Sequence, residues 1–62
     1  MTSETAIKAL VVDDEVIPNN LVQLQLEQLG YTVIGNAYDG PEAVRLTQEL
    51  RPDVVVMDLR MM

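Results

Sequence analysis

The chain contains no cysteine and no histidine. Without cysteine there is no disulfide framework and no thiolate zinc or redox centre, and without histidine there is no imidazole to ligate a metal or shuttle a proton. Ionic chemistry therefore falls to carboxylates. Basic residues are also scarce: four Lys and Arg against ten Asp and Glu give a formal charge of −6. Such a balance repels phosphate backbones and anionic lipid, so nucleic-acid binding by these residues is not expected. No apolar run approaches the ~20 residues of a membrane span. The start, Met1 to Thr5, is short and polar and lacks the basic region and apolar stretch of a secretory signal. A cytoplasmic location without membrane contact is the expectation.

What is present suits a packed segment. Hydrophobic residues make up 48% of the chain, with only three glycines and three prolines, unlike the polar composition of a disordered tail. At 62 residues the chain sits near the lower limit at which one core holds a domain together without disulfides, metals or a partner. It is one small domain or part of one.

From Ala6 to Val12 the sequence reads AIKALVV, an apolar run rich in β-branched residues, broken only by Lys8 and ending in Asp13, Asp14 and Glu15, which predicts a buried strand. Lys8 falls at its outset, with its head in water. An amphipathic stretch comes next, with Ile17, Leu21, Leu24 and then Val22, Leu26, Leu29 at steps of three or four. Asn19, Asn20, Gln23, Gln25, Glu27 and Gln28 fill the other face of this first helix. Pro18 fits the first turn, and Gly30 stands where a left-handed cap needs no Cβ. Tyr31 to Ala37 predicts a second strand, short or at an edge because Gly35 and Asn36 weaken its end. Asp39, Gly40 and Pro41 form a turn into a second helix, PEAVRLTQEL, with an apolar stripe of Ala43, Val44, Thr47 and Leu50 and an end at Arg51 before Pro52. Asp53 to Met57 then reads DVVVM, a continuous apolar run expected of a central strand covered on both faces. Strand, helix, strand, helix, strand with right-handed crossovers predicts an α/β fold, a parallel sheet with helices on its faces.

In a parallel sheet the loops after the first and third strands open on the same carboxyl edge. The strand order 2-1-3 makes those strands neighbours, so Asp13, Asp14 and Asp58 are expected to meet in the crevice where such sheets bind ligands. Three carboxylates in one cleft repel one another unless a cation or a raised pKa relieves them. Magnesium suits the donors, since it takes one or two carboxylates with waters and phosphate oxygens. Asp58 is then placed to attack a phosphoryl group while Asp13 and Asp14 hold the ion. Singly, each acid has a plainer reading: Asp14 as a cap of the first helix, and Asp58 as a turn residue.

Four segments in order at suitable spacing carry a resemblance: LVVDDE (Leu10 to Glu15), LGY (Leu29 to Tyr31), YDGPEAV (Tyr38 to Val44) and RPDVVVMDLRM (Arg51 to Met61). Together they resemble the N-terminal half of the receiver domain of bacterial two-component response regulators. The resemblance covers almost everything after Ile7. It implies the βαβαβ half of a doubly wound, flavodoxin-like sheet, with residues 1–62 as an incomplete receiver domain. It further implies that Asp58 takes a phosphoryl group from a sensor histidine kinase, and that Asp13 and Asp14 organise Mg2+. The backbone carbonyl of Arg60 would supply another ligand. Met62 stands where the family usually has proline, and the hydroxyl residue and lysine of the family's second half have no counterpart here.

Three functional classes are compatible with these features. The first is a signalling receiver that catalyses only its own magnesium-dependent phosphoryl transfer and is not a turnover enzyme. The second is a hydrolytic phosphotransferase of the haloacid dehalogenase type, but that pattern wants an aspartate two positions after the nucleophile, where this chain has Arg60. The third is a non-catalytic half-receiver that self-associates or pairs through the third strand. In this chain alone Val54 to Met57 would be an uncharged, exposed edge of the kind that recruits another strand.

Overall fold

Alternation of β-branched runs with helical periodicity gives five elements in a computed structural model, which describes residues 6–58. They are β1 (Lys8–Val12), α1 (Val16–Gln28), β2 (Thr32–Ala37), α2 (Gly40–Leu50) and β3 (Val54–Met57). The strands form one parallel sheet in the expected order β2-β1-β3. No helix among the described residues is long and apolar enough to cross a membrane.

β1 lies at the centre, paired on both sides, and its residues from Ala9 to Val12 are buried. Side chains alternate between the faces. Leu10 and Val12 join Ala37, Ala43 and Leu46 in the core beneath α2. Val11 points the other way, towards the α1 side, where it lines a cavity with Val22 and Val56. The centre of the three strands is thus β1, whereas the DVVVM run occupies the edge. That run is apolar on both faces because each borders a cavity: Val56 on the α1 side, and Val55 and Met57 beside Ala43, Val44 and Thr47 of α2. At the edge, Val54, Val55 and Met57 remain exposed by 37%, 42% and 44%.

The β1–β2 register shifts by one residue. Ala9 pairs with Val33 but Leu10 pairs with Gly35, so Ile34 has no partner in the register. Gly35 fills a tight place: a Cβ there would lie 2.9 Å from Leu50 Cδ1 and 3.1 Å from Leu10 Cδ1. β3 is tied at its entry by two bonds, Lys8 N donating to Asp53 Oδ2 at 2.9 Å and Asp53 N donating to Lys8 O at 2.8 Å. Lys8 itself is exposed, as expected.

Two expectations about the helices need correction. In α1 the residues at i, i+3, i+4 and i+7 that face the sheet are Asn19, Val22, Gln23 and Leu26, so Asn19 is buried and Gln23 half-buried instead of lying on a solvated face. The apolar row of Ile17, Leu21 and Leu24 is exposed instead, Ile17 by 73%. In α2 the core is reached by Ala43 and Leu46, while Val44 and Thr47 turn towards the flank of β3. Gly30 has φ of 99°, in keeping with its capping position. Arg51, at φ 52°, also adopts the left-handed conformation and closes α2 immediately before Pro52.

α2 begins with a reciprocal capping arrangement. Glu42 N donates to Asp39 Oδ1 at 2.8 Å, and the Glu42 carboxylate accepts from Tyr38 N at 2.8 Å. Replacing Asp39 with Ala leaves an N-terminal amide of α2 without its acceptor and should cost about 1 kcal/mol. A urea-unfolding midpoint equal to that of the parent would show that the cap is dispensable.

Candidate functional site

The carboxyl edge of the sheet brings together the residues at which the chain leaves β1 and β3. Asp13 N donates to Ala37 O at 3.1 Å, extending the β1–β2 pairing by one residue, and Asp58 N donates to Val12 O at 3.1 Å, extending the β1–β3 pairing. These bonds bring Asp13 and Asp58 to neighbouring strand ends. Both line one cavity of about 290 Å³, together with Val11, Val12, Val22, Val56 and Met57. Among the described residues, its only ionisable lining groups are those two acids, set against apolar walls.

The two differ in environment. Asp13 is 4% exposed, and its Oδ1 accepts from Glu15 N at 3.0 Å, a bond that turns the chain towards α1. Asp58 is half-buried. Asp14 is exposed on the loop and does not line the cavity. Nor does it cap α1: Glu15 holds the N-cap position and makes no side-chain cap bond. Among the described residues no group of three or more His, Cys, Asp or Glu side chains converges as a metal cluster. Arg60, whose carbonyl was expected as a ligand, lies outside the described residues.

Sequence reading missed the amide network behind this edge. Asn19, fully buried, donates through Nδ2 to Asp13 O at 3.1 Å and to Ala37 O at 3.0 Å. Its Oδ1 accepts from Asn36 Nδ2 at 2.6 Å, and the same Asn36 nitrogen donates to Gln23 Oε1 at 3.1 Å. The signal available in the sequence was small: Asn19, Val22, Gln23 and Leu26 share one helical row, and an amide there has carbonyls to satisfy at the strand ends.

Residues 9–62 match the response regulator receiver domain family. Among curated proteins, the chain is 46% identical over 55 residues to the transcriptional regulatory protein YdfI of Bacillus subtilis, covering 87% of this chain and 26% of that protein. It is 45% identical over 60 residues to protein-glutamate methylesterase/protein-glutamine glutaminase 3 of Myxococcus xanthus, covering 95% and 17%. With the response regulator GacA of Pseudomonas aeruginosa it shares 39% over 56 residues, covering 89% and 26%. The chain thus spans about a quarter or less of the length of these relatives. They differ widely in their named activities and share this segment. With a family match running through every element of the sheet, the chain belongs to the receiver domains of two-component response regulators.

Proposed function

We propose that Asp58 is the phosphoacceptor of this receiver, taking its phosphoryl group from the phosphohistidine of a sensor kinase in the cytoplasm. The observation that carries this reading is that Asp58 and the buried Asp13, from neighbouring parallel strands, line one cavity with no other ionisable group in its walls among the described residues.

In the transfer, a carboxylate oxygen of Asp58 attacks phosphorus, the bond from phosphorus to the histidine nitrogen breaks, and the imidazole leaves with the electron pair. The product is an acyl phosphate. The apolar residues around the two acids, Val11, Val22 and Val56, lower the local dielectric and strengthen each charge interaction in the cavity. Asp13, held by its bond from Glu15 N, contributes a fixed negative charge beside the acceptor. The donor set fits magnesium, which accepts one or two carboxylates in an otherwise water- and phosphate-filled shell. Asp13 and Asp58 would hold it, with Asp14 and the Arg60 carbonyl as the further ligands that the family resemblance implies. When bound, the ion supplies neutralisation of charge on the phosphoryl oxygens. The test is labelling by a small phosphodonor with and without Mg2+: a magnesium-dependent, hydroxylamine-labile label supports the reading, and absence of any label on the folded chain opposes it.

The open edge of β3 supports a second reading, in which this segment acts by pairing with another strand. Val54, Val55 and Met57 are exposed on a strand bonded along one side to β1, and uncharged edges of this kind recruit partners. Sedimentation of the chain should show concentration-dependent association that Val54→Lys weakens. A cooperative monomer at all concentrations would remove this reading.

A further inference from the structure

We infer that Asn19 and Asn36 form a positioning pair for the acidic cavity, fixing the Asp13 carboxylate so that magnesium binds there tightly. This rests on the reading of Asp58 as phosphoacceptor. Neither residue lines the cavity, so both act through Asp13.

Asn19 has 0% exposure and lies in the row of α1 that faces the sheet, where an aliphatic residue would continue the packing of Val22 and Leu26. Burying an amide is unfavourable unless all its polar atoms are bonded. Here they are. The Nδ2 protons go to the carbonyls of Asp13 and Ala37, the residues at the carboxyl ends of two adjacent strands, and Oδ1 accepts from Asn36. Asn36 sets the orientation of that amide: its donor faces Asn19 Oδ1, so the Asn19 nitrogen must face the strand ends. Gln23 takes the other Asn36 bond and ties the pair to the middle of α1.

The network converges on the residue whose carboxylate matters. Asp13 is fixed through its N–H to Ala37 O, through its carbonyl by Asn19, and through Oδ1 by Glu15 N. Ala37 O receives both Asp13 N and Asn19 Nδ2, so the β2 end, the acidic loop and α1 share one acceptor. A satisfied buried network specifies a single arrangement where apolar contacts would tolerate several. Outer groups that orient a metal-binding carboxylate typically change metal affinity by ~10- to 100-fold when removed.

The test compares magnesium binding with folding. Calorimetric titration with MgCl2 and thermal unfolding are measured on the intact chain, on Asn19→Leu/Asn36→Leu, and on Asn36→Ala. Replacing both members with apolar side chains leaves neither amide of the pair unmatched, but the carbonyls of Asp13 and Ala37 lose their Asn19 donors, so some stability is lost and binding is compared at temperatures where each variant is folded. The expected result is cooperative unfolding at a lower midpoint, with the magnesium affinity of the folded variant lowered ~10-fold or more. A folded double variant that binds magnesium as the parent does would overturn the inference and leave the phosphoacceptor reading standing. Asn36 is half-buried, and Asn36→Ala keeps the question decidable should the double variant not fold. That single change removes the donor orienting Asn19, together with its bond to Gln23 Oε1, and should weaken binding several-fold, so unchanged affinity again counts against the pair. If the parent chain itself gives no magnesium heat and takes no label, the phosphoacceptor reading falls and this inference with it.

Discussion

Asp58→Asn is expected to reduce phosphodonor labelling to background while leaving the sheet intact. The attacking atom is a carboxylate oxygen, and an amide of the same shape has neither its charge nor its nucleophilicity, so the loss is complete and not partial. The fold has little reason to change. The backbone N–H of residue 58 donates to Val12 O at 3.1 Å, and this tie to the sheet is kept whatever the side chain. Circular dichroism should therefore match the parent while the acyl phosphate disappears. Label that persists on the variant would show that another carboxylate is the acceptor. Asp13, in the same cavity, would be the first to examine.

Leu10→Ala is expected to remove a large part of the chain's stability and lower its denaturant midpoint strongly. Leu10 is fully buried in the central strand and pairs with Gly35 on one side and Val55 on the other. Its Cδ1 approaches the Gly35 backbone so closely that a Cβ there would lie 3.1 Å away. Backbone pairing on both flanks prevents collapse into the space left behind, and such truncations cost about 2–5 kcal/mol. At roughly 0.05–0.15 kcal/mol per residue, a domain of this length has about 3–9 kcal/mol in total. Much of its stability would go with one side chain. Denaturant unfolding followed by circular dichroism checks this, and a parent-like midpoint would contradict the placement of Leu10 at the centre of the core.

The order and kind of the five elements were legible because the signals were strong. The apolar run of β1 stops abruptly at three acids, Gly30 and Asp39 mark a helix exit and entry, and strand order is constrained by right-handed crossovers. The placement of Asp13 and Asp58 beside one another comes from the same topology. Which row of each helix faces inward was less legible. α1 carries two apolar rows, and periodicity ranks both above a row containing Asn19 and Gln23, yet the sheet takes that polar row because the strand-end carbonyls of Asp13 and Ala37 need donors. Hydropathy has no term for an amide that is buried because it is satisfied. For α2, the apolar stripe includes Val44 and omits Leu46, and nothing in its spacing reveals that Leu46 reaches the core while Val44 and Thr47 face the flank of β3. Asp14 and Asp13 look equivalent in sequence, but one residue of chain direction puts Asp13 in the cavity and Asp14 in solvent.

The unpaired Ile34 in β2 has a consequence for inheritance of the strand. Side chains in a strand keep strict two-step phase, so one surplus residue exchanges the faces of everything after it. In continuous register Asn36 would stand beside Val12 under α2, and Ala37 would turn away from the core. The shift restores the opposite parity, setting Gly35 beside Leu10, Asn36 beside Val11 and Ala37 beside Val12. Because Ile34 stands outside the pairing, its removal would leave the partners of Gly35, Asn36 and Ala37 as they are. Deleting Ile34 would remove a half-buried aliphatic side chain and make the β1–β2 ladder continuous, with Gly35, Asn36 and Ala37 keeping their faces, so the strand tolerates loss of this residue better than insertion of a further one.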